Sequence, residues 1–325
     1  MPGKGSRTAF VFPGQGAQKV GMGKAIAEAW PAAKAVFESV DEALDERLSA
    51  LIWDGDIETL TLTANAQPAL MVTSMATLAA MEAEGLPNWL PDLVAGHSLG
   101  EYSALCAMGA LTLADTARLL RIRGQAMQDA VPPGEGAMAA ILGADLGSVR
   151  RLAAAAAGDL VCQVANDNDP TQVVVSGHRP AVERAAAMAQ DHGARRAVML
   201  PVSAPFHCAL MKPAAERMEA ALRDVPIRVP RVPVVANVTA APVDDPECIR
   251  RLLLDQVTAP VRWRESILRM RTEGVGRVCE FGPGATLSGM IRRIDRNLTS
   301  CAIQSVTDVA ETLEVLTVHG RSGTE

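Results

Sequence analysis

Nothing in the 325 residues runs as long as the ~18 consecutive apolar positions of a membrane-spanning helix, although hydrophobic residues make up 49% of the chain. That apolar content is available for a large buried core, and the length implies one big domain with a smaller one beside it. Cysteine pairs at metal-ligand spacing are also missing. The six cysteines, at 106, 162, 208, 248, 279 and 301, are scattered without a C-x-x-C, so neither a zinc site nor a disulfide framework is expected and a reducing, cytoplasmic compartment fits. Positive charge is not in excess: 31 Lys and Arg against 37 Asp and Glu leave a net charge of −6. This argues against nucleic acid or an anionic membrane as a general partner, while leaving room for a local basic patch. Met1 to Arg7 is short, basic and followed at once by an apolar strand, without the h-region of a secretory leader or an amphipathic transit segment. There is no internal repeat.

What is present alternates short apolar strands with helical periodicity, the pattern of an α/β fold on a largely parallel sheet. Strands are expected at residues 9–12, 93–95, 232–236 and 277–281. Helices are expected at 25–39, 67–83, 113–129, 213–222 and 261–271, where apolar residues recur at three- and four-residue spacing. From 132 to 196 the order becomes strand, helix, strand, strand, helix, strand, at 137–142, 146–157, 161–166, 172–177, 180–193 and 197–202. That is the β-α-β-β-α-β order of a ferredoxin-like insert, entered through Pro132-Pro133-Gly134 and Glu135-Gly136. The tail beyond Val318 is expected to be disordered.

The chemistry concentrates in Gly96-His97-Ser98-Leu99-Gly100, which follows the apolar run Leu93-Val94-Ala95 and precedes a helical stretch. Glycines two before and two after the serine allow the sharp strand-to-helix turn of a nucleophile elbow, which makes Ser98 the candidate nucleophile. A serine hydroxyl needs a base, and there are only five histidines. His97 adjoins the serine and would point elsewhere, His178 and His192 fall in the insert, and His319 lies in the tail. His207 remains, after Leu200-Pro201-Val202-Ser203-Ala204-Pro205-Phe206, where two prolines fix an extended chain returning to the large domain. Donors for a developing oxyanion are expected from Phe12-Pro13-Gly14-Gln15-Gly16, a tight turn after the first strand, and from the amide of Leu99. The same turn lacks the Gly-Lys-Ser/Thr of a Walker motif and the full G-x-G-x-x-G fingerprint.

Five motifs in register carry a family resemblance: Phe12-Pro13-Gly14-Gln15-Gly16-Ala17-Gln18, Gly96-His97-Ser98-Leu99-Gly100-Glu101-Tyr102, Arg123-Gly124-Gln125-Ala126-Met127, Val202-Ser203-Ala204-Pro205-Phe206-His207 and Phe281-Gly282-Pro283-Gly284. In this order they resemble the malonyl-CoA:acyl carrier protein transacylases, acyltransferases of fatty-acid synthesis, over nearly the whole chain to about residue 315. The resemblance implies a large α/β-hydrolase-like domain, residues 1–131 and 198–325, interrupted by the ferredoxin-like subdomain at 132–197. It implies that Ser98 is acylated, that His207 is general base and acid, and that the backbone amides of Gln15 and Leu99 form the oxyanion hole. The backbone carbonyl of Gln256 would orient His207 in place of a triad carboxylate. Arg123 would pair with the free carboxylate of a malonyl group, with Gln67 lining the same pocket. The implied substrates are malonyl-CoA and the phosphopantetheine thiol of acyl carrier protein, with no metal or redox cofactor. The basic pair Arg195-Arg196 matches one near the coenzyme A or carrier site. One position departs: many free-standing members have Ser before the histidine, whereas this chain has Phe206, as in malonyl-selective acyltransferase domains of polyketide synthases, so a discrete acyltransferase of a polyketide pathway is the alternative to one of fatty-acid synthesis.

Two other readings stay open on the residues alone. An α/β-hydrolase would use a late histidine, here His319, with a third carboxylate and a rigid tail. A non-catalytic carrier-binding module would keep the fold, although intact Ser98, His207, Gln15 and Arg123 argue against it.

Overall fold

The computed structural model describes residues 7–85, 90–202 and 204–320, with side chains as far as 313. Its strands are β1 (Arg7–Phe12), β2 (Leu93–Gly96), β3 (Gly136–Leu142), β4 (Cys162–Asp169), β5 (Gln172–His178), β6 (Arg196–Met199), β7 (Val234–Val235), β8 (Pro242–Val243), β9 (Val275–Phe281) and β10 (Thr299–Ile303). They form a six-stranded sheet ordered β10-β9-β1-β2-β7-β8 and a four-stranded sheet ordered β4-β5-β3-β6. The first is parallel except for the β7–β8 pair, and the second is antiparallel throughout. The chain is thus α/β. β1 reads Arg-Thr-Ala-Phe-Val-Phe and is buried from Thr8 onward, the apolar continuity of a central parallel strand covered on both faces.

Period-two alternation assigns the faces of the second sheet. Ala137, Ala139 and Ile141 of β3 face a small core with the helices Leu146–Ala157 and Arg179–Met188, while Met138 and Ala140 turn toward the main core. β4 runs three residues beyond its expected end because Asn166-Asp167-Asn168-Asp169, polar in sequence, is buried against the large body. There the Asp167 N–H donates to Val261 O at 2.9 Å and Arg264 grips the Asp167 carboxylate at 2.9 Å. Arg293 holds Asp169 at 2.8 Å in the same way.

Prolines account for several other departures. The helix expected over 25–39 is two helices, Lys24–Ala29 and Pro31–Leu44, because Trp30, preceding Pro31, is forced into extended backbone. The helix Thr63–Ala83 starts four residues earlier than expected and contains Pro68, so Gln67 is interior to the helix and not at its start. Pro68 cannot donate to Ala64 O. Arg121 Nη1 donates to that carbonyl instead, at 2.6 Å, so Arg121 repairs the helix rather than standing as a free surface charge. The strand expected over 197–202 stops at Met199, ahead of Pro201, and that expected over 232–236 keeps only β7. β10 carries too little apolar periodicity to be foreseen. The last helix, Val306–Gly320, runs through His319 where disorder was expected; residues 321–325 lie outside the described residues.

Asp167 is almost wholly buried, and Arg264, on the helix Trp263–Thr272, is its ion-pair partner. Replacing Arg264 by Leu should lower unfolding stability by on the order of 1–3 kcal/mol, because it strands a desolvated carboxylate. Urea unfolding of the variant checks this; an unchanged midpoint would show that water compensates Asp167 equally well.

Candidate active site

Ser98 lies in the turn between β2 and the helix Gly100–Ala107, with φ of +54°. The turn is so tight that a Cβ on Gly96 would fall 1.8 Å from the Gly100 carbonyl, and one on Gly100 2.2 Å from Phe12 O. Glycine is therefore sterically required at both places, and the turn thrusts Ser98 out of the sheet. Asn237, just after β7, braces it: its Oδ1 accepts the Ser98 N–H at 2.8 Å and its Nδ2 donates to Gly96 O at 2.7 Å.

His207 comes from the chain that leaves β6, and it too is left-handed, with φ of +58°. Its Nε2 is 2.7 Å from Ser98 Oγ, and its Nδ1 is 2.9 Å from the backbone carbonyl of Gln256. A carbonyl only accepts, so Nδ1 carries the proton and Nε2 offers its lone pair to the serine hydroxyl. Gln256, near the end of the helix Pro246–Thr258, does more than supply that carbonyl. Its Nε2 donates to Ser98 O at 3.0 Å and to Glu101 Oε2 at 2.7 Å, while its Oε1 accepts from Arg123 Nη2 at 2.8 Å.

Arg123 projects from the helix Leu113–Asp129 and is 1% exposed. Its Nη1 donates to Gln67 Oε1 at 2.7 Å and its Nη2 also reaches Ser98 Oγ at 3.2 Å. The Tyr102 ring lies 5.6 Å below the guanidinium carbon. These hydrogen-bond acceptors are neutral, and Nε has no hydrogen-bond partner among the described residues. The nearby acid, Glu101, stands behind the Gln256 amide. Burial pushes its carboxyl up to about 7, against the hydrogen bonds from Asn237 and Gln256 and the charge of Arg123. Burial, seconded by the Arg123 charge, drives His207 down to about 3, so the imidazole is neutral at physiological pH.

The dyad opens into a cavity of about 360 Å³ whose lining includes Gln15, Gln67, Leu99, Met127, Met138 and Phe206. Gln15 is held by its side chain, which donates to Thr63 Oγ1 at 3.1 Å. His97 turns away from Ser98: its Nε2 is 2.8 Å from Asn168 Oδ1, and its ring packs on Trp263. Of the residues singled out in sequence, Ser98, His207, Gln15, Leu99, Gln256, Arg123, Gln67 and Phe206 come together. Arg196 does not. It begins β6, an exposed edge strand, and lies at the end remote from Leu200, Pro201 and Val202, which do line the cavity. Ser203 of the same motif is outside the described residues. Glu101 and Asn237 were missed, although both carry a signal: a carboxylate in the first turn after an elbow, and a polar residue just past the end of a parallel strand.

A serine on a strand-turn-helix elbow, with a neutral histidine at its hydroxyl, defines an α/β protein of the serine-nucleophile, acyl-handling class. The model of the acyl transferase domain family matches residues 9–317, and the chain belongs to that family. It is 47% identical over 312 residues to the malonyl CoA-acyl carrier protein transacylase of Bacillus subtilis (strain 168), covering 95% of this chain and 96% of that one. The solved acyl-carrier-protein S-malonyltransferase of Bartonella henselae matches with a TM-score of 0.93 and 51% identity, over 96% of this chain and 99% of that one. A malonyl-transacylase solved in complex with its type II PKS acyl-carrier protein matches with a TM-score of 0.93 and 40% identity, over 95% and 100% of the two chains.

The depressed His207 basicity has a kinetic consequence. Neutral His207 persists well below the ordinary histidine value of 6.5, so kcat/KM for acylation of Ser98 should stay level as pH falls through that range. An anion bound at Arg123 would cancel part of the repulsion on the imidazolium, moving the acid limb of kcat above that of kcat/KM. Stopped-flow acylation across pH checks both, and a kcat/KM limb centred near 6.5 would contradict them.

Proposed function

We propose that this enzyme transfers the malonyl group from malonyl-CoA to the phosphopantetheine thiol of acyl carrier protein through a malonyl-Ser98 intermediate, supplying extender units for fatty-acid synthesis. The observation that carries this reading is the buried Arg123, 3.2 Å from the nucleophile, whose hydrogen-bond acceptors among the described residues are all neutral. A malonyl thioester places its free carboxylate two bonds beyond the carbonyl under attack, within reach of a guanidinium at that distance. The planar fork binds it bidentately and remains charged when buried.

Ser98 Oγ attacks the thioester carbonyl as its proton passes to His207 Nε2. The backbone amides of Gln15 and Leu99 receive the oxyanion. The C–S bond breaks and coenzyme A leaves with the proton from His207; the carrier thiol then repeats the sequence in reverse, so kinetics are ping-pong. Both halves exchange an acyl group between oxygen and sulfur without oxidation or reduction, so the reaction itself calls for no metal or redox cofactor. Phe206, 8% exposed beside the base, crowds the α-carbon and favours malonyl over its α-methyl homologue. The family's relatives named above act on acyl carrier protein, the partner assigned to this chain. Residues 132–197 are read as a ferredoxin-like subdomain inserted in a large α/β-hydrolase-like domain of residues 1–131 and 198–325. The order β4-β5-β3-β6 with two helices on one face supports that reading. A cytoplasmic location fits six free cysteines.

Intact mass after mixing with malonyl-CoA tests the assignment. Wild type should gain a malonyl increment on Ser98 and Ser98→Ala none; an adduct on Ser98→Ala would sink the nucleophile. Arg123→Ala should lower malonyl kcat/KM by on the order of a hundredfold or more, since removing one partner of a buried pair costs about 3–5 kcal/mol, and acetyl-CoA should gain relative to malonyl. Equal losses on both substrates would make Arg123 structural.

Phe206→Ser should raise the relative use of methylmalonyl-CoA modestly, one methyl group in an apolar pocket being worth about 1–3 kcal/mol. An unmoved ratio of kcat/KM values would place the ring away from the α-carbon.

A further inference from the structure

The edge of the main sheet holds a pair of thiols that acyl transfer does not use. β9 and β10 run parallel with Cys279 opposite Cys301, and their Sγ atoms are 3.3 Å apart. Matched positions on neighbouring parallel strands project from the same face, so the two thiols confront each other in register. All six cysteines are free. Cys279 is fully buried on β9, whereas Cys301, on the edge strand, is partly exposed. The two differ in acidity as well as access. Contact with its neighbour and burial push Cys279 up, while the Cys279 contact and the charge of Arg277 bring Cys301 below the ordinary thiol value. A partly exposed thiol whose acidity is raised by its neighbour, against its burial, and which is backed by a second sulfur is the arrangement of a reactive cysteine with its resolving partner.

We propose that Cys279 and Cys301 are a modification site, a dithiol that a hydroperoxide converts into a cross-strand disulfide. The Cys301 thiolate attacks the peroxide: an S–O bond forms, the O–O bond breaks, and the departing alkoxide takes up a proton as alcohol, or as water when the oxidant is hydrogen peroxide. Cys279 then loses its proton and attacks the sulfenic sulfur. The S–S bond forms, the S–O bond breaks, and the hydroxide leaves as water. In sum, two thiols and one hydroperoxide give one disulfide, one alcohol and one water. The bond joins β10, which leads into the helix Val306–Gly320, to β9, and closes the segment 279–301. Strand β1 lies between this pair and β2, after which the elbow follows, and neither thiol lines the cavity at Ser98.

The test treats the reduced full chain with hydrogen peroxide and reads intact mass and a non-reducing peptide map. Wild type should lose about 2 Da, yield one linked peptide pair containing Cys279 and Cys301, and recover its mass with dithiothreitol. Cys301→Ser should lose nothing, and Cys279→Ser should leave a sulfenic acid at Cys301 that dimedone traps. If Cys279→Ser does not fold, the wild-type map and Cys301→Ser still decide. The proposal is overturned if wild type gains oxygen without linking, if Cys301→Ser still loses the mass, or if the partly exposed Cys106 and Cys248 oxidise as fast as Cys301.

Discussion

A positive charge is buried beside the nucleophile with no carboxylate among the described residues in contact with it, and the rest of the site is arranged around that fact. A guanidinium that is 1% exposed would be costly if its donors were unmet. Gln67 and Gln256 meet the two Nη groups with amide oxygens, which satisfy hydrogen bonds without cancelling charge, while Nε has no partner among the described residues. The orientation of the Gln256 amide is fixed from behind. Its NH₂ faces three acceptors, Ser98 O, the Glu101 carboxyl and, at 3.4 Å, Asn237 Oδ1, so its oxygen must face Arg123. One side chain thereby couples the elbow, the arginine and a buried acid, and its own backbone carbonyl holds the histidine.

Both members of the dyad occupy left-handed backbone, Ser98 at φ +54° and His207 at φ +58°. Such conformations cost about 1–3 kcal/mol each in non-glycine residues and persist only where the surroundings over-determine them. Two bodies do so here. The six-stranded sheet and Asn237 clamp the turn around Ser98, while His207 is delivered by chain leaving the four-stranded sheet and pinned to the Pro246–Thr258 helix. Buried Asp167 and Asp169 of the four-stranded sheet pair with the partly exposed Arg264 and Arg293, which stand on the helices Trp263–Thr272 and Thr286–Ile294 of the large body, and so tie that sheet to it.

Burial acts in opposite senses on the two titrating groups near Arg123. It keeps His207 neutral, the state a base requires, and raises the Glu101 carboxyl to about 7 against the charge of Arg123.

The sequence by itself determined the parts whose chemistry is local. Gly96 and Gly100 around Ser98 specify the elbow, alternation and helical periodicity specify most elements, and His207 follows because the other histidines lie in the wrong places. Five motifs in order made the family legible, and with it Arg123, Gln67 and the Gln256 carbonyl. Tertiary structure decided whatever depends on segments distant in sequence. The polar run Asn166–Asp169 could be a buried strand only once Val261, Arg264 and Arg293 were there to pair it. Arg121 meets Ala64 O, left without a backbone donor by Pro68, only because two helices pack side by side. Arg196 starts the exposed edge strand β6 and does not line the cavity, a placement that depends on which strand pairs with β3. The thiols of Cys279 and Cys301 meet only because two parallel strands happen to be in register. Glu101 and Asn237 were unforeseen for the same reason: a hydrogen-bond network is a property of distances, and a sequence fixes distances only along its own chain.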